Sequence, residues 1–274
     1  MKVLVTGAAA PSALATFEGS RKMPPPIVML MIAAASPKVP MALTSDSFGG
    51  VREGMDRDVI VSVAMKIWDI SPVIATATPC FPGDTAYSQR WSAEIGPGCP
   101  VNVSAITMSP HLGAHADAPL HYGAGASPIG SVDLAPFLGP CRVIHAIDKG
   151  PLIAPDHLTH ALDASGSLPP RVLVRTCRTA PTEWSPVFSA FAPGTIAWLA
   201  GLGVRLVGID SQSVDPADSK TLDSHQQLLK HDLRVLENLI LDDVAAGDYE
   251  LIALPLKLAT ADASPVRAVL RSLP

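Results

Sequence analysis

A chain of 274 residues, 48% of them hydrophobic, has ample apolar material for a buried core. Its net charge of -5 and pI near 5.9, with no lysine and arginine cluster interleaved with aromatics, exclude a basic nucleic-acid-binding surface. Four cysteines, Cys80, Cys99, Cys141 and Cys177, lie scattered without Cys-x-x-Cys spacing, which speaks against a zinc ribbon or a disulfide-dense secreted scaffold and points to a reducing cytosol.

The opening Met1-Lys-Val-Leu-Val-Thr-Gly7 has the outline of a first dinucleotide-binding strand. The Ala-rich stretch after Gly7 lacks the further glycines that let a backbone approach a pyrophosphate, so no nucleotide site is expected there. Arg21-Lys22 and the apolar run 27–35 sketch a signal peptide, but Pro24-Pro-Pro26 splits charge from run, and the run lies well inside the chain. At nine residues it is also far short of the roughly 20 that a bilayer requires. Residues 36–64 show no periodicity. Residues 1–64 are expected to be an unstructured or spurious extension, and 65–274 a single domain that starts at Met65.

From Met65 the texture changes. Ile67 and Ile70 around Trp68-Asp69 predict a first strand, and Pro72, Pro79, Pro82 and Gly83 predict a long loop after it. Residues 101–109 alternate apolar and polar, with Val101, Val103, Ala105 and Thr107 on one face, as a half-buried strand should. That strand leads directly into His111-Leu-Gly-Ala-His115-Ala-Asp117-Ala-Pro-Leu-His121, which gathers three histidines and a carboxylate into eleven residues. Imidazole and carboxylate are ligands that zinc and manganese accept. His115, Asp117 and His121 fall at even separations, so an extended backbone would present them on one face. Pro110, Gly113 and Pro119 argue against one regular helix through the motif and for a tight turn followed by a short extended run. A surface loop with incidental histidines is the bland alternative, and so many ligand-type side chains at this spacing weigh against it.

Beyond the motif, 141–147 and 171–175 predict short strands separated by a helix over 155–163. His145 then sits inside a strand as a structural residue, with His157 and His160 on the helix surface. Residues 193–201, with proline near the start and glycine at the end, predict a helix that feeds a buried strand over 204–209. Asp210 and Asp215 follow in a loop at the strand end, where open α/β folds place function. The apolar stretch 249–258 predicts a strand that ends or bulges near Pro255. Strands and helices mixed in this way give an α/β fold class.

The central motif, together with Trp68-Asp-Ile-Ser71, Phe81-Pro-Gly-Asp84, Ser109-Pro-His111, Ala118-Pro-Leu-His-Tyr122, Leu138-Gly-Pro-Cys-Arg-Val-Ile144 and Leu254-Pro-Leu-Lys257, resembles the metal-dependent cyclase/hydrolase family, and in particular its bacterial arylformamidase members. The likeness runs from about Met65 to the C-terminus. It departs from the family at Ala114, where a threonine is usual. The resemblance implies a mixed-sheet β/β/α fold of swivelling-domain type and a homodimer. It also implies two divalent metal ions, zinc or alternatively manganese, held by His111, His115, Asp117, His225 and Glu237, with Asp117 shared between them. His121 matches the family's proton-transfer residue, and imidazole exchanges protons near neutrality. Phe81 stands where the family often has a substrate-contacting tryptophan.

The activity implied is hydrolysis of N-formyl-L-kynurenine to formate and L-kynurenine in tryptophan degradation, by metal-activated water. Hydrolysis of a cyclic amide such as isatin on the same scaffold is the alternative. A non-catalytic metal-binding protein is a weaker one, and a serine hydrolase is disfavoured because no Gly-x-Ser-x-Gly elbow is present. The residues themselves leave His225 and Glu237 open: 223–238 reads equally well as a solvated amphipathic helix with Leu228, Leu229, Leu233 and Leu236 inward. His231 competes with His225. Twelve positions on one unbroken helix would separate His225 from Glu237 by about 18 Å, so the chain has to turn back between them if both are ligands. Neither a membrane nor a nucleic-acid partner is expected, only a small-molecule substrate.

Overall fold

Four parallel strands carry the architecture: β5 (Leu138–His145), β7 (Arg171–Arg175), β9 (Leu206–Ile209) and β10 (Arg234–Glu237) lie side by side in that order. Parallel neighbours need crossovers, and helices supply them. These are α2 (Thr159–Asp163) before β7, α3 (Pro193–Gly201) between β7 and β9, and α4 (Asp223–His231) between β9 and β10. The computed structural model describes residues 65–163 and 167–273, so the expected extension over 1–64 lies outside the described residues.

Antiparallel strands flank this centre. On one side β11 (Gly247–Ile252) pairs with β5, followed by β13 (Val269–Arg271) and β1 (Ile67–Asp69). On the other, β4 (His115–Asp117) pairs with β10, and β12 (Ala263–Pro265) pairs with β4. The result is a nine-stranded mixed sheet among the described residues. Side chains alternate across it. Val143, Leu173, Leu206 and Leu236 enter one apolar core, while Ile144, Val172, Val174, Val207 and Val235 enter a second with Ile196 and Leu199 of α3 and Leu228 of α4. Burial on both faces explains why β9 and the interior of β7 read as continuous apolar runs.

Two small pairings lie outside the main sheet: β6 (Leu152–Ile153) with β8 (Ala190–Phe191), and β2 (Ser88–Ala93) with β3 (Val103–Thr107). The second corrects two expectations. The stretch before residue 101 contains a strand, β2, where only loop was expected. The strand expected over 101–109 forms over Val103–Thr107, but it is not half-buried: Val103 is 47% and Ile106 56% exposed, because its partner is β2 and, among the described residues, neither strand enters the two cores. Alternation gives the pleat, not the cover.

The helix expected over 155–163 forms as a 3-10 turn, Pro155–His157, running into α2. His145 is structural as expected, with Nε2 donating to the Val244 carbonyl at 2.8 Å. His160 is exposed, whereas His157 is half-buried because its Nδ1 accepts from the Ala154 amide at the helix start. The strand expected over 249–258 ends at Ile252, ahead of Pro255. Helix α3 has the expected bounds, while the strand after it begins at Leu206.

Candidate metal centre and cavity

The motif enters through a left-handed turn at Gly113, φ +70°, where a side chain would be strained and would meet Ile74 at 3.1 Å. This turn aims the Gly113 carbonyl at its own motif, and it accepts from His115 Nδ1 at 2.9 Å. With Nδ1 donating, His115 Nε2 carries its lone pair toward the centre of the site. The short run β4 then puts His115 and Asp117 on one face, as their spacing requires. Its register with β10 sets Glu237 directly opposite His115.

His121 does not continue that extended face. Pro119 begins a one-turn helix, α1 (Pro119–Tyr122), where a missing N–H costs nothing, and the turn carries His121 up to the cavity wall. The shared face expected for His115, Asp117 and His121 is therefore corrected for His121.

His225 and Glu237 meet because α4 stops at His231, Asp232 takes a left-handed conformation, and the chain returns as β10. Leu233 and Leu236 thus pack from a strand region rather than from a continuing helix. His231 is exposed. His225 is held by Asp215, whose carboxylate accepts from the amides of Ser224 and His225 at 2.8 and 3.0 Å and from His225 Nδ1 at 2.6 Å. That bond fixes the ring so that Nε2 faces inward, 3.3 Å from Asp117 Oδ2 and 3.6 Å from Glu237 Oε1. Glu237 Oε1 also accepts from the Val214 amide at 2.7 Å.

Asp117 is the common neighbour. Its Oδ1 lies 3.0 Å from His111 Nδ1 and 3.4 Å from His115 Nε2, which is in turn 3.3 Å from Glu237 Oε2. Despite this crowding, neither Asp117 Oδ1 nor His115 Nε2 makes an aligned hydrogen bond, although both are buried. No lysine or arginine lines the cavity among the described residues. Burial would raise the Asp117 carboxyl and lower the imidazoles, but mutual attraction wins. Asp117 is held well below the usual carboxylate range by His111, His115 and His225. The carboxylates of Asp117 and Glu237 lift His115 to about 10, and Asp117 and Asp215 lift His225 to about 10. The group calls for positive charge at its centre. A divalent cation fits its donor set: converging imidazole lone pairs and carboxylate oxygens, with His115 and His225 oriented from behind by hydrogen bonds.

Above the cluster opens a cavity of about 400 Å³, within the size range of small-molecule sites. Phe81 and Trp184 form an edge-to-face pair on its wall, with ring centroids 5.9 Å apart. Ser109, Gln212, Ser213 and Asn238 supply polar lining.

The Cyclase family model, described as "Putative cyclase", matches residues 68–216, more than half of the chain. The chain belongs to the Cyclase family. It is 67% identical over 208 residues to the kynurenine formamidase of Delftia acidovorans, covering 76% of this chain and 98% of that protein. A solved structure described as a predicted metal-dependent hydrolase from Bacillus stearothermophilus is 29% identical with a TM-score of 0.65, covering 77% of this chain and all of the other. Isatin hydrolase A from Labrenzia aggregata, at 21% identity and a TM-score of 0.67 over 78% of this chain and 96% of that one, shares the fold.

In this Cyclase-family chain the structure brings His111, His115, Asp117, His225 and Glu237 to one point, with His121 and Phe81 on the cavity above. Sequence reasoning missed two residues and the role of a third. Trp184 gave no signal beyond being aromatic in a turn-rich stretch. Asp215 was noted only as a loop carboxylate. Asp262, whose Oδ2 lies 3.1 Å from His111 Nε2 and 3.4 Å from His121 Nδ1, gave none at all.

Proposed function

We propose that this chain hydrolyses N-formyl-L-kynurenine to formate and L-kynurenine. The observation that carries the reading is the convergence of three imidazoles and two buried carboxylates on the floor of a cavity walled by Phe81 and Trp184, in a chain 67% identical to a kynurenine formamidase. His111, His115, Asp117, His225 and Glu237 would hold two divalent ions, with zinc suited to this nitrogen and oxygen set and manganese the alternative. Bound there, such ions would activate water as a nucleophile and polarise the formyl carbonyl.

The chain's own side chains supply the rest. Phe81 and Trp184 offer an apolar face for the aryl ring and set the formyl group over the cluster. His121 reaches the cavity from α1 with its side chain 31% exposed, placed to hand a proton to the aniline nitrogen as the C–N bond breaks. Asp215 and the Gly113 carbonyl keep the rings of His225 and His115 from turning away.

Homodimer formation and a cytosolic location complete the reading. Four free cysteines suit a reducing compartment, and no helix among the described residues is long and apolar enough to cross a membrane. Steady-state turnover of N-formyl-L-kynurenine is expected to vanish on chelation and to return with added zinc or manganese. Turnover indifferent to a chelator would count against the reading.

A further inference from the structure

We propose that Asp262 is the positioning residue that fixes the His121 ring for proton transfer, an inference that rests on the amide-hydrolase reading above. One oxygen of Asp262, Oδ2, faces two imidazoles at once: His121 Nδ1 at 3.4 Å and His111 Nε2 at 3.1 Å. The two rings lie 4.3 Å apart between centroids and are tilted by 45°, so the carboxylate clips them together.

The clip is built on the sheet rather than on a free loop. The Asp262 carbonyl accepts from the Ala118 amide at 2.8 Å, and the next residue, Ala263, pairs across β12–β4 with Asp117. The backbone that presents Asp262 is therefore in register with the backbone that presents the metal cluster. Its side chain is 44% exposed, at the cavity mouth where His121 stands. His121 needs such a partner. It sits on a single helical turn with its side chain 31% exposed, and a neutral imidazole can carry its proton on either nitrogen.

With Nδ1–H donated to Asp262, Nε2 is left with the lone pair. Nε2 can then take a proton from the attacking water as the O–C bond forms, and return it to the aniline nitrogen as the C–N bond breaks. Asp262 keeps its charge throughout, orienting the ring and stabilising the transient imidazolium, as the buried aspartate of a serine-protease triad does for its histidine. The same carboxylate steadies His111 from behind, so a metal ligand and the acid/base residue share one anchor.

The test uses the full-length, metal-loaded protein with Asp262→Asn, Asp262→Ala and His121→Ala, and with Asp262→Asn combined with His121→Ala. Metal content, kcat and KM are measured on N-formylanilines whose leaving anilines rise in basicity, and the His121 ring nitrogens are followed by 15N spectroscopy. With metal at saturation, Asp262→Asn should keep its KM and lose on the order of 10–10² in kcat, the usual worth of a hydrogen-bonding partner behind a site residue, and it should hold metal more weakly through the loosened His111. The loss should grow with leaving-group basicity, and in the His121→Ala background Asp262→Asn should cost clearly less than in the wild type, leaving only its effect through His111. In the spectra, His121 Nδ1 should carry the proton in the wild type and average between tautomers in Asp262→Ala. Fully additive losses in the double variant, a metal site left empty in Asp262→Asn even at saturating metal, or a His121 spectrum untouched by Asp262→Ala would each overturn the proposal. A wild type that cleaves none of the formanilides would sink the hydrolase reading instead, and the spectra would still decide whether Asp262 orients His121.

Discussion

At the residue scale the site divides labour by burial. Asp117 is 1% exposed and faces three imidazoles, so removing it leaves the imidazoles of the cluster without their shared anion. Asp117→Ala is expected to lose metal and activity together. His121 is the most exposed of the motif's histidines and lies on α1 instead of β4. His121→Ala is expected to keep its full metal complement and lose on the order of 10²–10⁴-fold in kcat, the usual worth of a positioned acid or base. Metal analysis beside single-turnover rates reads both outcomes, and a metal-free His121→Ala protein would make His121 a ligand. Phe81 answers to a different measurement. Nearly half exposed and braced edge-to-face by Trp184, it can grip an aryl ring from the cavity wall. Phe81→Ala should raise KM with bound metal unchanged, and unaltered steady-state kinetics would place substrate elsewhere.

At the element scale, the turn-back between α4 and β10 is what makes a site from residues far apart in sequence, and glycine makes a second such join possible. Gly130 donates to the Leu258 carbonyl at 2.9 Å and lies so close that a Cβ would meet that oxygen at 2.5 Å and its carbon at 2.8 Å. Backbone cannot swing aside as a side-chain tip can. Gly130→Ala should therefore cost about 1–3 kcal/mol, read as a lower denaturation midpoint at unchanged m-value, and an unchanged midpoint would show that the 258 segment gives way freely. How much of this was legible follows from what sequence periodicity encodes. Short apolar runs announced β5, β7 and β9, and the Pro193 and Gly201 boundaries announced α3, because each signal is local; β10 was hidden in a stretch that reads equally well as a helix. The exposure of β3 was hidden, since alternation says which residues share a face and not what covers it. Asp262 was hidden more deeply: its partners lie 141 and 151 residues away, and only the pairing of β12 with β4 brings them near. Asp215 became meaningful only once α4 began beside it, with its first-turn amides needing an acceptor.

At the scale of the whole molecule, every residue given a part in the proposed chemistry lies between Met65 and the C-terminus. The sheet runs from β1 to β13 within that span, the family match begins at residue 68, and the formamidase from Delftia acidovorans aligns over 98% of its own length with only 208 residues of this chain. Ile67 pairs with Arg271, the Lys66 amide donates to Ser272 Oγ, and Lys66 also caps Trp68 from 4.4 Å above its ring, so the first described residues are already tied to the last strand. Among the described residues, both cores draw on side chains from Trp68 onward. We propose on these grounds that residues 1–64 are dispensable. A chain begun at Met65 is expected to match the full-length protein in solubility, thermal midpoint, metal content and kcat/KM for N-formyl-L-kynurenine. Because β1 is an edge strand of only three residues, the thermal midpoint is the most sensitive of these readings: any support lent by residues upstream of Met65 would show there first, as a drop of several degrees. Loss of soluble protein or of turnover on truncation would instead make the first 64 residues part of the working enzyme.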